Sequence, residues 1–484
     1  MVVGTTSHAG KSLLTAAICR LLVRQGQRVC PFKGQNMALN AYVTADGGEI
    51  GHAQAVQAWA ARLEPQVLMN PILLKPQGDM TSQVILMGQA VGQVGAADYY
   101  EQYFDRGWRA ITNCLDELQQ QYNYIVCEGA GSPAEINLKH RDLTNMRVAS
   151  YLNASTVLVA DIDRGGVFAH IVGTLELLTP DERKLIKGFV INKFRGQRSL
   201  LQSGLDWLEE RTGIPVVGVL PYFQPQLPAE DSLDLFDRKI IKPDAELQIG
   251  VVRLPRMANF TDFDPLMAEP TVQLTYLDRS PSPKKFDALI IPGTKTTVAD
   301  CQWLHSSGLA KMVHDHVAAG GVVMGICGGF QMLGITIKDL AGLEGVPGEV
   351  AGLGLLPIDT AIEQDKVLRR CQVESAYLST RSPVSGYEIH QGTTTWIGAN
   401  LAQPLFDNSD LGWVVNNQIW GTYLHGIFDH GEWRRSWLNQ IRQRQGQEPL
   451  PTNVVDYAVQ RDLALDAVAD LVGEHLNLKI LTAN

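Results

Sequence analysis

The chain has no Cys-x-x-Cys pair, and its seven cysteines are an odd number spread along its length. This distribution argues against a disulfide framework and against a structural zinc site. Unpaired thiols are typical of a reducing compartment, and we therefore predict a cytoplasmic protein. In that setting a cysteine is either buried filler or a catalytic thiol.

Long apolar runs and an excess of positive charge are also missing. No stretch is long enough to span a bilayer, and the first residues lack the pattern of a secretory signal. The formal net charge of −10 argues against a nucleic acid or an acidic membrane as a main partner. The sequence contains no internal repeat and no low-complexity tract. What remains is an ordinary globular composition, with 45% hydrophobic and 19% charged residues.

The length of 484 residues predicts two or more domains, because single cores rarely grow beyond about 250–300 residues. In both halves, apolar runs that end in glycine-rich or polar loops alternate with helical patterns. This alternation predicts an α/β fold whose parallel sheets are covered by helices. The predicted strands include 124–127, 156–160, 188–191, 288–291, 321–325 and 419–422, and the predicted helices include 13–25, 52–62 and 199–211.

A segment rich in proline and charge, around residues 225–242, separates the two halves. We predict a first domain over residues 1–237, a linker over 238–246 and a second domain over 247–440. Residues 441–484 are predicted to form a helical tail that packs on one of the two domains.

A glycine loop, GTTSHAGKS at residues 4–12, follows the first predicted strand and precedes a helix. Such a loop directs backbone N–H groups and the helix dipole at phosphate. Five residues separate its two glycines, where the standard Walker A motif has four, so Thr5 occupies the position of the first glycine. We predict an ATP site in which Lys11 reaches the outer phosphates. The predicted ATP-binding residues are Thr5, Thr6, Gly10, Lys11, Ser12 and Asn192, the last from an Asn-Lys pair after a strand.

Magnesium bound with ATP needs hard oxygen ligands. The Ser12 hydroxyl is the first candidate, and two carboxylates are the others. Glu128 ends the strand 124–127 and is followed by Gly-Ala-Gly, which is where a metal-binding carboxylate is expected in such a fold. Asp46 lies in the stretch TADGGE, where a plain turn aspartate is the alternative.

The stretch GGVVMGICGGFQMLG, residues 320–334, places Cys327 between glycines, after a strand pattern and before a helical one. This is the form of a nucleophile elbow, although a buried cysteine in a glycine loop is the alternative on this segment alone. His425 follows another predicted strand and is a candidate base for the thiol. Gly293 and Gly328 are predicted to supply oxyanion-hole N–H groups. Residues 387–392 are predicted to form a polar loop near the substrate.

These motifs together resemble known families. Residues 325–329 with His425 are similar to a class I glutamine amidotransferase domain. A dethiobiotin synthetase-like P-loop domain followed by such a flavodoxin-like domain is the layout of the cobyrinic acid amidases. Within that group, four stretches are similar to the cobyric acid synthases: PFKGQNMALN at 31–40, NPILLKP at 70–76, EGAGSPAEIN at 128–137 and DIDRGGVF at 161–168.

The resemblance implies a ligase of cobalamin biosynthesis that amidates the b, d, e and g carboxylates of adenosylcobyrinic acid a,c-diamide. ATP would convert each carboxylate into an acyl phosphate, and Cys327 with His425 would release ammonia from glutamine. The implied small-molecule substrates are a corrinoid, glutamine and ATP, with Mg²⁺ as the cofactor. Polar residues of the matching stretches that would contact the corrinoid are Gln35, Asn36, Asn40, Lys75, Asp163 and Arg164.

The chain departs from many class I domains at one position. They carry a glutamate two residues after the histidine, where this chain has Ile427. The motif therefore does not identify the group that orients His425. The alternatives are a synthase that acts on cobyrinic acid, another P-loop amidoligase, and a P-loop regulatory ATPase with an inert second domain. The intact pair of Cys327 and His425 argues against the last of these.

Overall fold

The computed structural model describes residues 1–78, 80–223, 227–228, 241–278, 286–378, 382–398 and 402–482. The predicted domain boundary at residue 237 and the first residues of the predicted linker lie outside these ranges. Within them, no helix is both long and apolar enough to cross a membrane.

The first half contains the predicted strands and helices, together with several strands that the sequence analysis did not predict. Its strands are β1 (Val2–Gly4), β2 (Val29–Phe32), β3 (Gln35–Met37), β4 (Ala41–Val43), β5 (Glu49–Gly51), β6 (Ile72–Pro76), β7 (Thr81–Leu86), β8 (Gln89–Gly95), β9 (Tyr124–Cys127), β10 (Thr156–Asp161), β11 (Ile186–Phe194) and β12 (Val216–Pro221). Its α-helices are α1 (Lys11–Arg24), α2 (His52–Ala60), α3 (Ala96–Gln121), α4 (Met146–Tyr151), α5 (Val167–Leu177), α6 (Pro180–Leu185) and α7 (Arg198–Thr212).

A parallel sheet forms the centre of this half. Strands β1, β10, β11 and β12 are adjacent in that order, and β2 pairs in parallel with β9. A parallel bridge between Val2 and Glu128 places β9 beside β1. Strand β10 is buried along its whole length, as expected for a central strand that is covered on both faces. The carboxyl ends of these strands carry Gly4, Glu128 and Asn192, so the predicted ATP residues meet at one edge.

A smaller mixed sheet, with the order β3-β6-β7-β8, is inserted between β2 and β9 and was not predicted. Strands β7 and β8 form a hairpin around Met87 and Gly88, which both have positive φ angles (49° and 76°). A two-residue turn of this kind matches the twist of a hairpin. The available sequence signal was Gly88 directly after the apolar run of residues 84–87.

The second half repeats the α/β pattern around its own core. Its strands are β13 (Leu247–Val252), β14 (Val272–Leu277), β15 (Ala288–Ile291), β16 (Val322–Ile326), β17 (Thr336–Asp339), β18 (Gly348–Ala351), β19 (Ile358–Glu374), β20 (Pro383–Trp396), β21 (Ala402–Pro404), β22 (Gly412–Val415) and β23 (Ile419–Thr422). Its α-helices are α8 (Asp264–Ala268), α9 (Thr297–Ser306), α10 (Leu309–Ala318), α11 (Gly328–Met332), α12 (Gly431–Arg444), α13 (Tyr457–His475) and α14 (Lys479–Thr482).

The main sheet of this half has the order β14-β13-β15-β16-β23-β22-β21. Its first five strands are parallel, and β22 and β21 continue it in antiparallel fashion. A second sheet contains the long antiparallel pair of β19 and β20, which reaches the first half. The α/β prediction, with parallel sheets in both halves, is therefore confirmed.

The C-terminal region packs on both halves. The predicted boundary at residue 440 lies inside helix α12, whose Trp433 and Trp437 pack edge-on against the buried Trp420 of β23. Helix α13 instead lies along α1, where the fully buried Arg20 pairs with Asp462 and Asp466. The C-terminal region therefore packs against the first half as well as against the second.

Candidate active site

Cys327 lies at the sharp turn between β16 and α11. Its backbone has φ 51° and ψ −111°, a strained conformation for a residue with a side chain, as expected of a nucleophile elbow. Its N–H donates to the Thr422 carbonyl at 2.8 Å, which ties the elbow to β23. A Cβ atom on Gly329 would collide with the carbonyl oxygen of Ile291. The glycine is therefore required for the close approach of the two loops.

His425 follows β23, and Asp262 is hydrogen-bonded to it. The Asp262 carboxylate lies 2.7 Å from His425 Nδ1 and accepts a second hydrogen bond from the N–H of Gly426 at 2.9 Å. Asp262 is on a short 3-10 turn, Phe260–Phe263, in the loop after β13. The sequence analysis did not identify this residue, which takes the place of the glutamate missing at Ile427.

The protonation of His425 depends on this carboxylate. Burial alone would lower the pKa of His425, but the charge of Asp262 and its hydrogen bond raise it to about 10, with a further contribution from Cys327. The second ring nitrogen, Nε2, is buried and is left to interact with the thiol. A protonated imidazole beside a thiol favours the thiolate, which is the reactive form of cysteine. Cys327, His425 and Asp262 thus form a thiol–imidazole–carboxylate arrangement.

A pocket opens beside Cys327 and is lined by both halves of the chain. Gly293 lies next to the elbow. A Cβ atom added to Gly293 would be 3.7 Å from the Cβ of Cys327. Two residues of opposite charge, the buried Lys295 and the half-buried Glu344, also line the pocket. The predicted polar loop at 387–392 is in fact part of strand β20, which supplies Ile389, His390 and Gln391 to the wall. The prediction of a loop was wrong, because these polar residues lie on the edge strand that pairs antiparallel with β19.

The glycine loop has the form that the sequence predicts. It joins β1 to α1, and Gly10 has φ 99°, at a position where a Cβ would collide with the side-chain amide of Asn192. The Lys11 ammonium donates at 3.0 Å to two carbonyl oxygens, those of Thr6 and Gly131. The Thr5 hydroxyl is buried with no hydrogen-bond partner among the described residues. These groups fit a phosphate chain over the helix N-terminus.

Glu128 lies at the centre of a buried polar cluster beside this loop. One of its oxygens accepts hydrogen bonds from Ser12 Oγ at 2.8 Å and from Lys33 Nζ at 2.9 Å, and the other accepts from Gln57. Ser12 and Glu128 therefore present two hard oxygen donors together, which fits Mg²⁺ bound with ATP. Among the described residues, no group of three or more His, Cys, Asp or Glu could hold a metal. The sequence analysis did not single out Lys33.

The other predicted ATP and metal residues have different surroundings. The Asn192 side chain donates a hydrogen bond to the Ala9 carbonyl at 2.8 Å and so helps to fix the conformation of the glycine loop. Asp46 lies in the exposed turn between β4 and β5, where it accepts a hydrogen bond from Thr44. That turn lies beside Leu368 of β19. The structure thus does not bring Asp46 together with Ser12 and Glu128.

The six predicted corrinoid residues fall into three places. Gln35 accepts from Tyr99 at 2.7 Å, and Asn36 donates to Gln54 at 2.9 Å, both within the first half. Asn40 and Lys75 are buried at the contact with the second half. The third pair, Asp163 and Arg164, lies at the end of β10, where Asp161 pairs with Lys193 and Lys193 also donates to the loop residue His8.

A buried ion cluster joins the two halves near the thiol pocket. The Glu49 carboxylate of β5 is fully buried and pairs with Lys75 at 2.7 Å and with Lys366 of β19. Burial alone would raise the pKa of Glu49, but the two lysines lower it to about 2. Lys75 and Lys366 also line the pocket that contains Cys327. The ion cluster therefore places the thiol pocket at the interface between the two halves.

Comparisons with known proteins agree with this two-site architecture. A family model described as the CobQ/CobB/MinD/ParA nucleotide binding domain matches residues 1–232, and one described as the CobB/CobQ-like glutamine amidotransferase domain matches residues 248–433. The chain is 63% identical to a protein of Acaryochloris marina named cobyric acid synthase, over 99% of this chain and 98% of that protein. Proteins of the same name from Rippkaea orientalis and a Nostoc species are 62% and 63% identical, with the same shares covered.

Proposed function

The chain belongs to the cobyric acid synthase family, and we propose that it amidates the b, d, e and g carboxylates of adenosylcobyrinic acid a,c-diamide. Each amidation would use one glutamine and one ATP. The observation that carries the proposal is the presence of a thiol–imidazole–carboxylate site and a phosphate loop on the two sides of one buried interface. The unpaired cysteines of the described residues support a cytoplasmic location.

In the glutaminase half, Cys327 is the nucleophile and His425 is the base. The thiol proton moves to His425 Nε2, while Asp262 holds Nδ1 and stabilises the imidazolium. The thiolate attacks the amide carbon of the glutamine side chain, and the N–H groups of Gly293 and Gly328 stabilise the oxyanion. His425 then gives the proton to the leaving nitrogen, which departs as ammonia. Water hydrolyses the thioester and releases glutamate.

The pocket also supports recognition of the amino-acid head of glutamine. A free amino acid carries an ammonium and a carboxylate, and both need partners when they leave water. Lys295 and Glu344 supply the opposite charges within the pocket, and the Thr297 N–H and hydroxyl hold Glu344 in place. Burial raises the pKa of Glu344 to about 7, so an ammonium group beside it favours its charged form.

In the synthetase half, the Thr5 hydroxyl, the N–H groups of Thr6 and Gly10 and the Lys11 ammonium bind the phosphates. Ser12 and Glu128 would hold Mg²⁺, which would supply positive charge to neutralise the phosphates. The corrinoid carboxylate attacks the γ-phosphorus and ADP leaves, which gives an acyl phosphate. Ammonia then attacks the acyl carbon and inorganic phosphate leaves. Asn192 supports the loop from the side of β11.

The corrinoid binds at the carboxyl edge of the first sheet in this proposal. Gln35 and Asn36 on one side, and Asp163 and Arg164 on the other, are the residues that contact it. The boundaries that go with the proposal are a synthetase domain over 1–237, a glutaminase domain over 247–440 and a tail over 441–484. That tail would stabilise the synthetase domain through α13.

The test is mass spectrometry of adenosylcobyrinic acid a,c-diamide after incubation with the protein, ATP, Mg²⁺ and glutamine labelled with ¹⁵N in its side-chain amide. The expected result is stepwise incorporation of one label for each of the b, d, e and g carboxylates. An unchanged corrinoid, with ATP and glutamine still consumed, would mean that the substrate is wrong, and cobyrinic acid would be tested next.

The Cys327→Ala variant separates an amidoligase from a regulatory ATPase. Loss of the thiol should abolish labelling from glutamine, while an ammonium salt at high pH should still support amidation. A regulatory ATPase with an inert second domain should behave in the same way with and without the substitution.

A further inference from the structure

The interface between the halves lies directly behind the ring of His425. Two residues of the synthetase half, Asn40 and Ala41, are buried there and are 1% and 0% exposed. Together we call them the bridge segment. Asp262 and Tyr387 are the two neighbours that fix the position of the imidazole. The bridge segment contacts Tyr387 directly and contacts the turn that carries Asp262.

The first contact runs through the turn that carries Asp262. Asn40 Oδ1 accepts a hydrogen bond from the N–H of Phe260 at 3.1 Å, and the N–H of Ala41 donates to Asn259 Oδ1 at 3.0 Å. Asn259 has φ 52° and starts the 3-10 turn, and its carbonyl accepts from the N–H of Asp262 at 3.1 Å. The side chain of each asparagine thus accepts a hydrogen bond from a backbone N–H of the other half, and the two bonds fix the start of this turn.

The second contact runs through Tyr387 of β20. Its hydroxyl donates to the Ala41 carbonyl at 3.2 Å. Its ring stacks on His425, with the ring centroids 5.3 Å apart and an angle of 17° between the planes. The backbones of Tyr387 and His425 also exchange two hydrogen bonds, of 3.2 and 2.9 Å. Tyr387 belongs to an apolar cluster with Ala41 and Val43 that spans the interface.

We infer that the bridge segment positions His425 from across the interface, so that the glutaminase site is complete only when the synthetase half holds this segment in place. Asn40 acts through the turn of Asp262, and Ala41 acts through Tyr387. Both are positioning residues, since neither is among the residues that line the pocket beside Cys327. This assigns Asn40 a role different from the corrinoid contact that its sequence motif implies.

The same stretch extends to Gln35 and Asn36 at the synthetase site. A corrinoid bound to these residues would hold the bridge segment in its present position. Glutamine hydrolysis would then be coupled to the presence of the acceptor, which prevents the loss of ammonia. This coupling rests on the proposed function, whereas the positioning role of the bridge segment does not.

Two variants remove the contacts separately. Asn40→Ala removes the acceptor of the Phe260 N–H, and Tyr387→Phe removes the hydrogen bond to Ala41 but keeps the stacked ring. Glu64→Gln is the matched control, because Glu64 pairs across the same interface with Arg370 and is mostly exposed. Arg370 lies opposite Tyr387 in the β19–β20 pair, but among the described residues Glu64 itself is hydrogen-bonded to neither Tyr387 nor Asp262.

The measured quantity is the ratio of glutamine-supported to ammonia-supported amidation. We expect this ratio to fall at least about tenfold in Asn40→Ala and about threefold in Tyr387→Phe, because small displacements of a catalytic group are costly. The ratio should stay at the wild-type value in Glu64→Gln. The pH profile of Cys327 alkylation by iodoacetamide, followed by peptide mass spectrometry, should change in the first two variants only.

An unchanged ratio in both interface variants would overturn the inference. An equal loss of ammonia-supported amidation in Asn40→Ala would also overturn it, since it would make Asn40 a corrinoid or folding residue. If the wild-type protein amidates no corrinoid, the proposed function fails. The inference is then decided by glutamate release and by the alkylation profile, neither of which needs a corrinoid.

Discussion

Asp262 and His425 are 163 residues apart in the chain, and their side chains form a 2.7 Å hydrogen bond in the interior of the second half. The bond is possible because the loop after β13 and the loop after β23 meet at one edge of the same parallel sheet. It gives the imidazole a fixed orientation. The thiol of Cys327 therefore meets Nε2 rather than Nδ1.

Replacement of Asp262 by asparagine tests this relationship. Without the carboxylate, burial is left as the main influence and lowers the pKa of His425 below its ordinary value. The imidazolium that stabilises the thiolate is then lost at neutral pH. We expect glutamine-supported amidation and glutamate release to fall by about 10²-fold or more. Ammonia-supported amidation, which bypasses the thiol, should change little.

Asp315→Asn is a suitable control for this substitution. Asp315 lies on the exposed face of α10, where it pairs with Lys311. The Asp315→Asn substitution removes the same charge from the same half of the chain and lies away from the active site. If the Asp262→Asn variant releases glutamate at the wild-type rate over a range of pH, another group orients His425.

The parts of the site that lie within one contiguous motif were predictable from the sequence. The strand–loop–helix order around Lys11 and Ser12 fixes the phosphate loop, and the elbow around Cys327 follows from small residues between a strand and a helix. Glu128 and His425 come directly after apolar strand patterns. Because parallel strands end at one edge, their positions in the fold followed from the α/β pattern.

The parts that depend on contacts between distant loops were not predictable in this way. Asp262 lies in a turn with no periodic pattern, and nothing in its neighbours indicates a partner so far along the chain. Asn40 and Lys75 belong to motifs that mark the family, but their side chains point to the domain interface. A polar residue in a matched motif can thus serve the contact between domains as well as the ligand. The packing of α13 on α1 also depends on distant contacts.

The cluster around Glu128 leads to a prediction for the synthetase half. In Glu128→Gln the Ser12 hydroxyl loses a charged neighbour, and the buried Lys33 loses its ion pair with this carboxylate. We expect the Mg²⁺ concentration for half-maximal amidation to rise at least about tenfold, with either glutamine or ammonia as the nitrogen source. Glutamate release in the absence of ATP should persist, because the thiol site is separate.

The Asp46→Asn variant distinguishes the two carboxylates that the sequence proposes as metal ligands. Asp46 caps its own turn, so its replacement should shift the Mg²⁺ dependence much less than that of Glu128. A larger shift in Asp46→Asn than in Glu128→Gln would place the metal elsewhere.

The buried Glu49 cluster predicts a pH-dependent contribution to stability. Glu49→Gln leaves Lys75 and Lys366 buried without a counter-ion, and we expect the free energy of unfolding to fall by about 3–5 kcal/mol at pH 7. The pKa of Glu49 is about 2 in the folded state and 4.5 in its ordinary state. A carboxylate with a lowered pKa stabilises the fold above pH 4.5 and loses this contribution as the pH falls toward 2. Urea unfolding at several pH values measures the difference.

Glu64→Gln serves again as the control, because its ion pair with Arg370 is largely exposed. Exposed pairs contribute little, so this variant should stay within about 0.5–1 kcal/mol of the wild type at every pH. If Glu49→Gln and Glu64→Gln destabilise equally, the buried cluster does not hold the two halves together.

Helix α13 provides a stability test of the tail with an internal control. Leu465 is 1% exposed and belongs to the same apolar core as Leu14 and Leu22 of α1, whereas Leu463 on the same helix is 64% exposed. Leu465→Ala removes buried side-chain volume and should lower the free energy of unfolding by about 2–5 kcal/mol. Leu463→Ala removes the same atoms from the surface and should change it by less than about 0.5 kcal/mol.

The readout that assigns this effect to the synthetase half is thermal unfolding with and without Mg²⁺-ATP. A ligand that binds only the folded domain raises its midpoint, so the transition that ATP shifts identifies that domain. We expect Leu465→Ala to lower the midpoint of this ATP-sensitive transition and Leu463→Ala to leave it in place. A loss confined to the ATP-insensitive transition would contradict the packing of α13 on α1, because the helix would then stabilise the glutaminase half alone.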